Sequence, residues 1–351
     1  MNESIQIIDS VHDQEISLGY IGPSLGVLYL QRFIRDKLFG VTAPTATKSG
    51  EVAGARDTLE VLASDILLTV GMKEELDDVV HPAGVLMPLR VHMVADLAQE
   101  APAAQTKTFR LQLRRHRSRV RRRGYDWELA SNDGEYDWFY DRMHIPTMVA
   151  RHGERARSVE REEARRELFH KGSLLFVTSY GKRVAGIVLQ VVREQSICNV
   201  RLVGWLDGDP QLMREGAVQS GYFFVRDWAA QLGLQFLDFQ GSEPFLSKGT
   251  FQNKRRRGTS AILAPGEFAN LRCVLTVRED KGPIRDFLVA NPPISVGRSD
   301  RMDAVYFYDD RRAVRHDLPW RMEGIDGCQI LHIDQFLRRK STIHAQHVGL
   351  I

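Results

Sequence analysis

Apolar residues along this chain follow two periods, and the changes between them mark its elements. From Gly172 to Gly258 the order is strand, strand, strand, long helix, strand, then a polar cationic loop. GSLLFVTSYGKRVAGIVLQVV and SICNVRLVGWL are short runs rich in aliphatic and β-branched residues, with a hairpin turn at Tyr180-Gly181-Lys182. A helix is predicted over 212–232. Met213, Ala217, Phe224 and Trp228 share one face of it, and Val218, Val225, Ala229 and Leu232 widen that face. Residues 234–239 predict one more strand. The strands within 173–205 are expected to form an antiparallel meander. The strand at 234–239 is expected to lie parallel to the one before the helix, after a right-handed crossover. Splaying between those two parallel strands would open a slot for a ligand, because ligands of open α/β sheets bind where neighbouring strands diverge.

Upstream, Leu25, Leu28, Leu30, Phe33, Ile34 and Leu38 predict a helix that stops at Gly40. Residues 57–63 predict a second helix, 65–70 a short buried strand ended by Gly71, and 90–96 a half-exposed strand. AQEAPAAQTKT has no periodicity and reads as a connection. Asp133 to Met143 predicts a helix docked through Tyr136, Phe139 and Tyr140 and broken by His144-Ile145-Pro146. A charged helix follows, with opposite charges four apart such as Glu162 and Arg166. After Gly258, LRCVLTVRE, PIRDFLVANPPISV, DAVYFYDD and CQILHIDQF supply further strands and a helix. The last ~12 residues have no pattern and are expected to fray.

Composition narrows the class. A chain of 351 residues suits two domains or one large one, and 43% hydrophobic with 26% charged residues is ordinary for a globular protein. Cys198, Cys273 and Cys328 have no zinc or CxxC spacing, so each is expected to be a small buried residue in a reducing cytoplasm. The N-terminus is acidic with no apolar core and is not expected to act as a signal peptide, and no apolar run approaches the roughly 18 residues of a membrane span. The net charge of +3 says little, but its distribution says more. Residues 110–123, RLQLRRHRSRVRRR, hold eight arginines around a narrow stripe of Phe109, Leu113, His116 and Val120, and Gly124 ends the run. Either the acids Glu128, Asp133, Glu135 and Asp137 neutralise this helix, or it grips a polyphosphate, with Arg114, Arg115 and Arg121 as contacts.

Candidate chemistry gathers at the strand-to-loop exit. Asp238 sits near the strand's end, where it could orient an amine or close a turn by bonding backbone amides. Gln240, Ser242, Lys248 and Phe251 follow as candidate substrate contacts, with Tyr222 from the helix as either a substrate contact or a core residue. Lys254 could stabilise an oxyanion, hold a phosphate, or simply belong to a basic surface turn. His152, in a loop, could serve as a base or be structural. The helix N-terminus invites an anion near Arg214, Gly216 and Ala217, while Asp209 caps it and Pro210 takes the first helical position. No HExxH, GxSxG, P-loop or GxGxxG pattern occurs, and no metal is expected.

Four stretches together resemble the FemAB-type branch of the GNAT acyltransferase superfamily and the related CelD-like proteins. They are RRHRSRVRRRGYDWELASNDGEYDWFY, IPTMVARHG, GSLLFVTSYGKRVAGIVLQVV and LDFQGSEPFLSKGTFQNKRRRG, covering roughly 110 to 262. The earlier DILLTVG and PLRVHMVADL are weakly similar to the family's first half. The resemblance implies an α/β (α+β) fold of mixed, mostly antiparallel sheets with flanking helices in two GNAT-like halves. The halves would be 1–105 and a catalytic 106–275, with 276–351 packing back. It implies transfer of an acyl or aminoacyl group to an amine or hydroxyl of a small molecule, peptide or cell-envelope precursor. Lys254, in the segment similar to the family's "fK..fG", would face the reacting carbonyl. Gly258 matches the glycine of that segment, and Arg255 to Arg257 depart from its pattern. Arg214-Glu215-Gly216-Ala217 lacks the Q/RxxGxG/A spacing of acetyl-CoA enzymes, so the donor is either aminoacyl-tRNA or acyl-CoA, with tRNA a candidate partner. A non-catalytic module that binds RNA or an anionic glycan through the arginine-rich helix is the alternative.

Overall fold

The computed structural model describes residues 3–10, 16–41, 45–51, 63–76, 83–97, 107–153, 158–297 and 299–338, with only the backbone described for 3–10, 45–51 and 152. In chain order its strands are β1 (Glu3–Ser10), β2 (Ser17–Pro23), β3 (Thr45–Glu51), β4 (Ile66–Met72), β5 (Gly84–Pro88), β6 (Val91–Asp96), β7 (Tyr125–Leu129) and β8 (Gly172–Ser179). They continue as β9 (Lys182–Val192), β10 (Ile197–Trp205), β11 (Phe236–Ser242), β12 (Ser260–Leu263), β13 (Leu271–Val277), β14 (Ile294–Val296), β15 (Met302–Tyr308) and β16 (Gly327–His332). The helices used below are α1 (Arg32–Leu38), α2 (Lys107–Arg123), α3 (Asp133–Phe139), α4 (Ile145–His152), α5 (Pro210–Glu215), α6 (Ala217–Gln231), α7 (Gly249–Arg255) and α8 (Gly282–Ala290). The fold is mixed α/β, with mostly antiparallel sheets and flanking helices.

The chain forms two compact units that do not follow chain order. The first comprises Met1–His92, Gly241–Asn253 and Ala261–Ile351, and the second Met93–Gln240 and Lys254–Ser260. The division after His92, and the return of later segments to the first unit, differ from the expected boundaries at 105 and 275. The strand β13 accounts for much of the difference. All seven of its residues are buried, so it needs a neighbour on each side, and it finds them in β4 and β5, both antiparallel to it.

In the first unit the strand order is β3-β1-β2-β4-β13-β5, with a smaller sheet β14-β15-β16. Ile34 and Phe33 of α1 and Phe287 and Leu288 of α8 join Leu18, Leu68 and Leu275 in one core. The predicted strand at 65–70 runs through Gly71 to Met72 because β13 pairs with it to that point. The helix expected at 57–63 lies almost wholly outside the described residues, as do 98–106 of the connection and the chain after 338.

In the second unit the order is β6-β11-β10-β9-β8-β7. The meander is as expected: β8, β9 and β10 are successively antiparallel. Tyr180 and Gly181 both have positive φ, 47° and 79°, which is the two-residue hairpin geometry that matches strand twist. β11 is parallel to β10, with α6 between them in sequence and packed on β8, β9 and β10. β6 was expected to be half exposed, yet Val91 to Ala95 are all buried.

Two helices depart from expectation. The predicted 212–232 helix is two helices that meet at Gly216, whose φ of 90° lies in the left-handed region. Met213, before the break, and Leu232, the C-cap beyond α6, are exposed and do not share the buried face. Pro146 does not end the helix begun at Asp133. A π turn over Tyr140–His144 widens the winding there, Ile145 N–H bonds Tyr140 O, and α4 restarts with Pro146 in its first turn, where a missing N–H costs least. The expected Glu162–Arg166 pair is replaced by Glu162–Arg165. Among the described residues no helix is long and apolar enough to cross a membrane, and no cluster of three or more potential ligands could hold a metal ion.

Cys198 and Cys273 are fully buried, and burial pushes the Cys198 thiol up to about 12 and Cys273 upward as well. Cys328 is exposed, contrary to the expectation that all three would be core residues. A thiol reagent at pH 8 is therefore expected to modify one cysteine quickly in the native protein and all three in denaturant. Fast reaction of a second thiol in the native state would contradict this packing.

Candidate functional site

The parallel strands β10 and β11 share register at only three residue pairs: Ile197 with Phe236, Cys198 with Leu237, and Asn199 with Asp238. Both strands then run on, β10 to Trp205 and β11 to Ser242, with no further pairing between them among the described residues. On its other side β10 shifts register against β9 between Val200 and Leu202, leaving Arg201 as the extra, exposed residue. A bulge of this kind bends a strand and increases its local twist. The strands part directly beyond the last pair, so the splay lies where the order of elements placed it.

Gln240 sits at the parting, and three groups hold it. Its φ of 67° is a left-handed conformation that a non-glycine residue adopts only when its surroundings impose it. Its amide N–H donates to Asp238 Oδ1 at 2.5 Å, so the Asp238 carboxylate, 3% exposed, closes the turn. Its side-chain amide donates to Asn199 Oδ1 at 3.2 Å, bridging the two strands at their last pair. Its carbonyl accepts from Lys254 Nζ at 2.9 Å. Lys254 is half-buried in the last turn of α7, not in a loop. Its own carbonyl accepts the Arg257 N–H at 2.8 Å and the Thr259 hydroxyl at 3.1 Å. Asp238, Gln240 and Lys254 thus converge, joined by Asn199, which the sequence did not single out.

The residues after Lys254 divide by burial. Arg256 is exposed, whereas Arg255 and Arg257 are each 9% exposed. The Arg257 guanidinium lies 3.8 Å from the Tyr222 ring centroid and 5.6 Å from that of Phe239, and burial lowers it to about 10. Phe109, Tyr222, Phe223, Arg226, Phe239 and Arg257 line a cavity of about 10 Å³, room for a single water molecule. Tyr222 is partly buried and packs under this guanidinium.

The arginine-rich helix docks through few residues. Phe109 and His116 are buried, while Leu113 and Val120 are only half-buried. His116 stacks on Phe223 at 4.6 Å and meets Phe224 edge-on at 5.2 Å. Burial, with Arg119 and Arg117 nearby, lowers His116 to about 4. The Ser179 hydroxyl and Tyr180 hydroxyl, at the β8–β9 hairpin tip, cap the Arg123 and Arg122 carbonyls. Arg121, Arg122 and Arg123 fill the last turn, where cations suit the helix dipole.

The acids expected to neutralise this helix are engaged elsewhere. Glu128 and Glu135 pair with Arg183, and Asp133 and Asp137 with Arg165. Arg123 pairs with Glu215 at 3.1 Å. Arg114, Arg115 and Arg121 are exposed, and no ion pair joins them to an acid among the described residues. Arg119 lies against Gly216, where any Cβ would collide with its guanidinium, and its Nη1 is buried without a hydrogen bond. That contact requires glycine twice over, for space and for its left-handed φ.

The remaining candidates fall apart from this cluster. Arg214 is exposed and bonds Gln211 at 3.1 Å, and Ala217 is fully buried at the start of α6. Asp209 caps α5 through the Gln211 N–H, with Pro210 first, as expected. Ser242, Lys248 and Phe251 belong to the first unit. Ser242 is 1% exposed and bonds Thr250 at 3.1 Å. Lys248 pairs with Glu243 at 2.9 Å and is not an open turn. Phe251 is a fully buried core residue and cannot touch a substrate. His152 ends α4, a helix and not a loop, and its side chain lies outside the described residues.

No family model matches this chain, and no curated protein matches it. Among solved structures it is similar to L-PGS from Bacillus licheniformis, at 12% identity over 82% of this chain and 85% of that one, with a TM-score of 0.40. It is similar to FemX at 11% identity, 78% and 84% coverage and a TM-score of 0.38. A GCN5-related N-acetyltransferase from Kribbella flavida gives 12%, 61% and 69%, and 0.26. Identity and TM-score at this level assign neither family nor activity.

The depressed His116 makes a pH prediction. The unfolded chain takes up a proton on this histidine near 6.5, the folded one only near 4. Between those values the unfolded state binds more protons, so stability rises with pH there and falls as pH drops through the window. Urea melts from pH 7 to pH 4 are expected to show that fall, and His116→Phe is expected to shallow it. An unchanged slope would mean that His116 charges freely in the folded state.

Proposed function

We propose that this protein transfers an acyl or aminoacyl group to an amine or hydroxyl, at the parting of β10 and β11. The observation that carries the reading is Lys254 Nζ fixed on the Gln240 carbonyl beside the last strand pair. The order of elements and the Lys254 segment are those of the FemAB-type resemblance, which is the source of the reaction class. In acyl transfer the acceptor attacks a carbonyl carbon, a tetrahedral oxyanion forms, the bond to the donor's sulfur or oxygen breaks, and the acceptor's proton ends on that leaving atom. An ammonium held in place before the reaction lowers the oxyanion's energy without reorganising. Asp238 acts in this scheme by positioning Gln240. The exposed arginines of α2 suit a donor that carries phosphates, either aminoacyl-tRNA or acyl-CoA, and a cytoplasmic setting suits both donors. The acceptor would be a small molecule, a peptide or a cell-envelope precursor.

Among the described residues Arg114, Arg115 and Arg121 have no acidic partner, which favours one other reading, a binding module for RNA or an anionic glycan without turnover. One variant, compared with the wild type, separates the readings. In a screen of both donor classes, Lys254→Met is expected to reduce turnover by about 10²–10³-fold, roughly 3–4 kcal/mol, with little change in donor affinity. Full activity in Lys254→Met removes the catalytic lysine, and turnover absent from both proteins while RNA still binds selects the binding module.

Replacing Arg114, Arg115 and Arg121 together by Gln is expected to weaken donor binding and flatten its salt dependence, since fewer counterions are released. The thermal midpoint should stay within the small range of surface substitutions. A lowered midpoint with unchanged affinity would make the arginines a structural face.

A further inference from the structure

The second unit holds a serine–histidine pair that the transfer site does not use. His144 ends the π turn after α3 and is 3% exposed. Its Nδ1 lies 3.1 Å from the Val203 carbonyl in β10, and its Nε2 lies 2.5 Å from the Ser158 hydroxyl. A carbonyl only accepts, so Nδ1 carries the proton and Nε2 offers its lone pair to the serine O–H. Burial lowers the His144 pKa below its ordinary value, an effect that the Val203 bond partly offsets. Ser158 itself is exposed. The flanking chain is fixed, because the Tyr140 hydroxyl donates to Val159 O at 2.8 Å and the Tyr136 hydroxyl to Arg161 O at 3.2 Å. On the strand side, a Cβ at position 204 would run into the Met143 and His144 backbone, so Gly204 lets the turn seat against β10.

Nucleophile, base and orienting acceptor are thus in one line, with the nucleophile facing solvent and the base buried. We propose that Ser158 is a nucleophile activated by His144, forming a covalent ester with activated acyl compounds. The Ser158 oxygen bonds to the acyl carbonyl carbon while its proton passes to His144 Nε2. The tetrahedral adduct then collapses, the bond to the leaving oxygen or sulfur breaks, and Nε2 returns the proton to that atom. The product is an acyl-serine and a free alcohol or thiol. The Val203 carbonyl stabilises the transient imidazolium.

The probe is p-nitrophenyl acetate with the full-length protein. Peptide mass mapping is expected to place one acetyl group on Ser158, with a matching burst of nitrophenolate. His144→Gln is expected to slow that acylation by about 10²-fold or more, the usual worth of a general base. The wild-type rate should be level near pH 7, with its acid limb below the ordinary histidine value of roughly 6.5. This profile tests the base directly even if His144→Gln does not fold. Acetylation confined to lysines, labelling of Ser158 that His144→Gln leaves unchanged, or a rate rising steadily with hydroxide across the range would overturn the proposal.

Discussion

One residue held from three directions sets the geometry of the second unit's exit. In an unbroken parallel ladder the Gln240 amide and carbonyl would bond neighbouring strands. Here Asp238 takes the amide, Lys254 takes the carbonyl, and Asn199 takes the side chain. A left-handed φ at a non-glycine residue costs of order 1–3 kcal/mol, and these hydrogen bonds, two of them to charged groups, are each of comparable size. The strain persists because its surroundings over-determine it. The consequence is that β11 turns away after three pairs, and the ammonium of α7 is brought to the place where the sheet opens.

Charge is distributed by the same economy. The acids near α2 in sequence are drawn to Arg183, which lies over the Phe176 ring, and to Arg165, which faces α3. The helix keeps its arginines exposed and is anchored instead by Phe109, by His116 stacked on Phe223, and by hydroxyl caps from the hairpin tip. A neutral histidine serves as an aromatic anchor here, since a charged one would add to the field of its arginine neighbours. Repulsion along the helix is tolerated by exposure and by the helix dipole at its end, and it leaves a surface suited to phosphate.

Much of this was legible in the sequence. The meander could be read because period-two apolar runs end at Tyr180-Gly181, and the parallel return of β11 followed from the intervening helix. Asp238, Gln240 and Lys254 were visible as polar residues at a strand exit. What escaped depends on contacts between distant residues. Asn199 reaches Gln240 across 41 positions, and nothing local marks it beyond a polar residue in an apolar strand. The break at Gly216 is hidden because apolar spacing continues across it, and only its left-handed φ and the approach of Arg119 explain the glycine. Pro146 misled because a π turn reconciles it with the helix. β13 was recognised as a strand and grouped by the expected boundary at 275 with the second half, since a run buried at every position does not say which sheet covers it.

The central claim is that a donor's reacting carbonyl meets the protein where β10 and β11 part. The most direct measurement follows the amide and side-chain resonances of Asn199 and Gln240, and the Lys254 ammonium, while an acyl-CoA and an aminoacylated RNA are titrated in turn. A donor that the protein turns over should shift these resonances together with those of α2 arginines, and by less elsewhere in the second unit. A donor that is turned over while leaving Asn199, Gln240 and Lys254 unmoved would contradict the account.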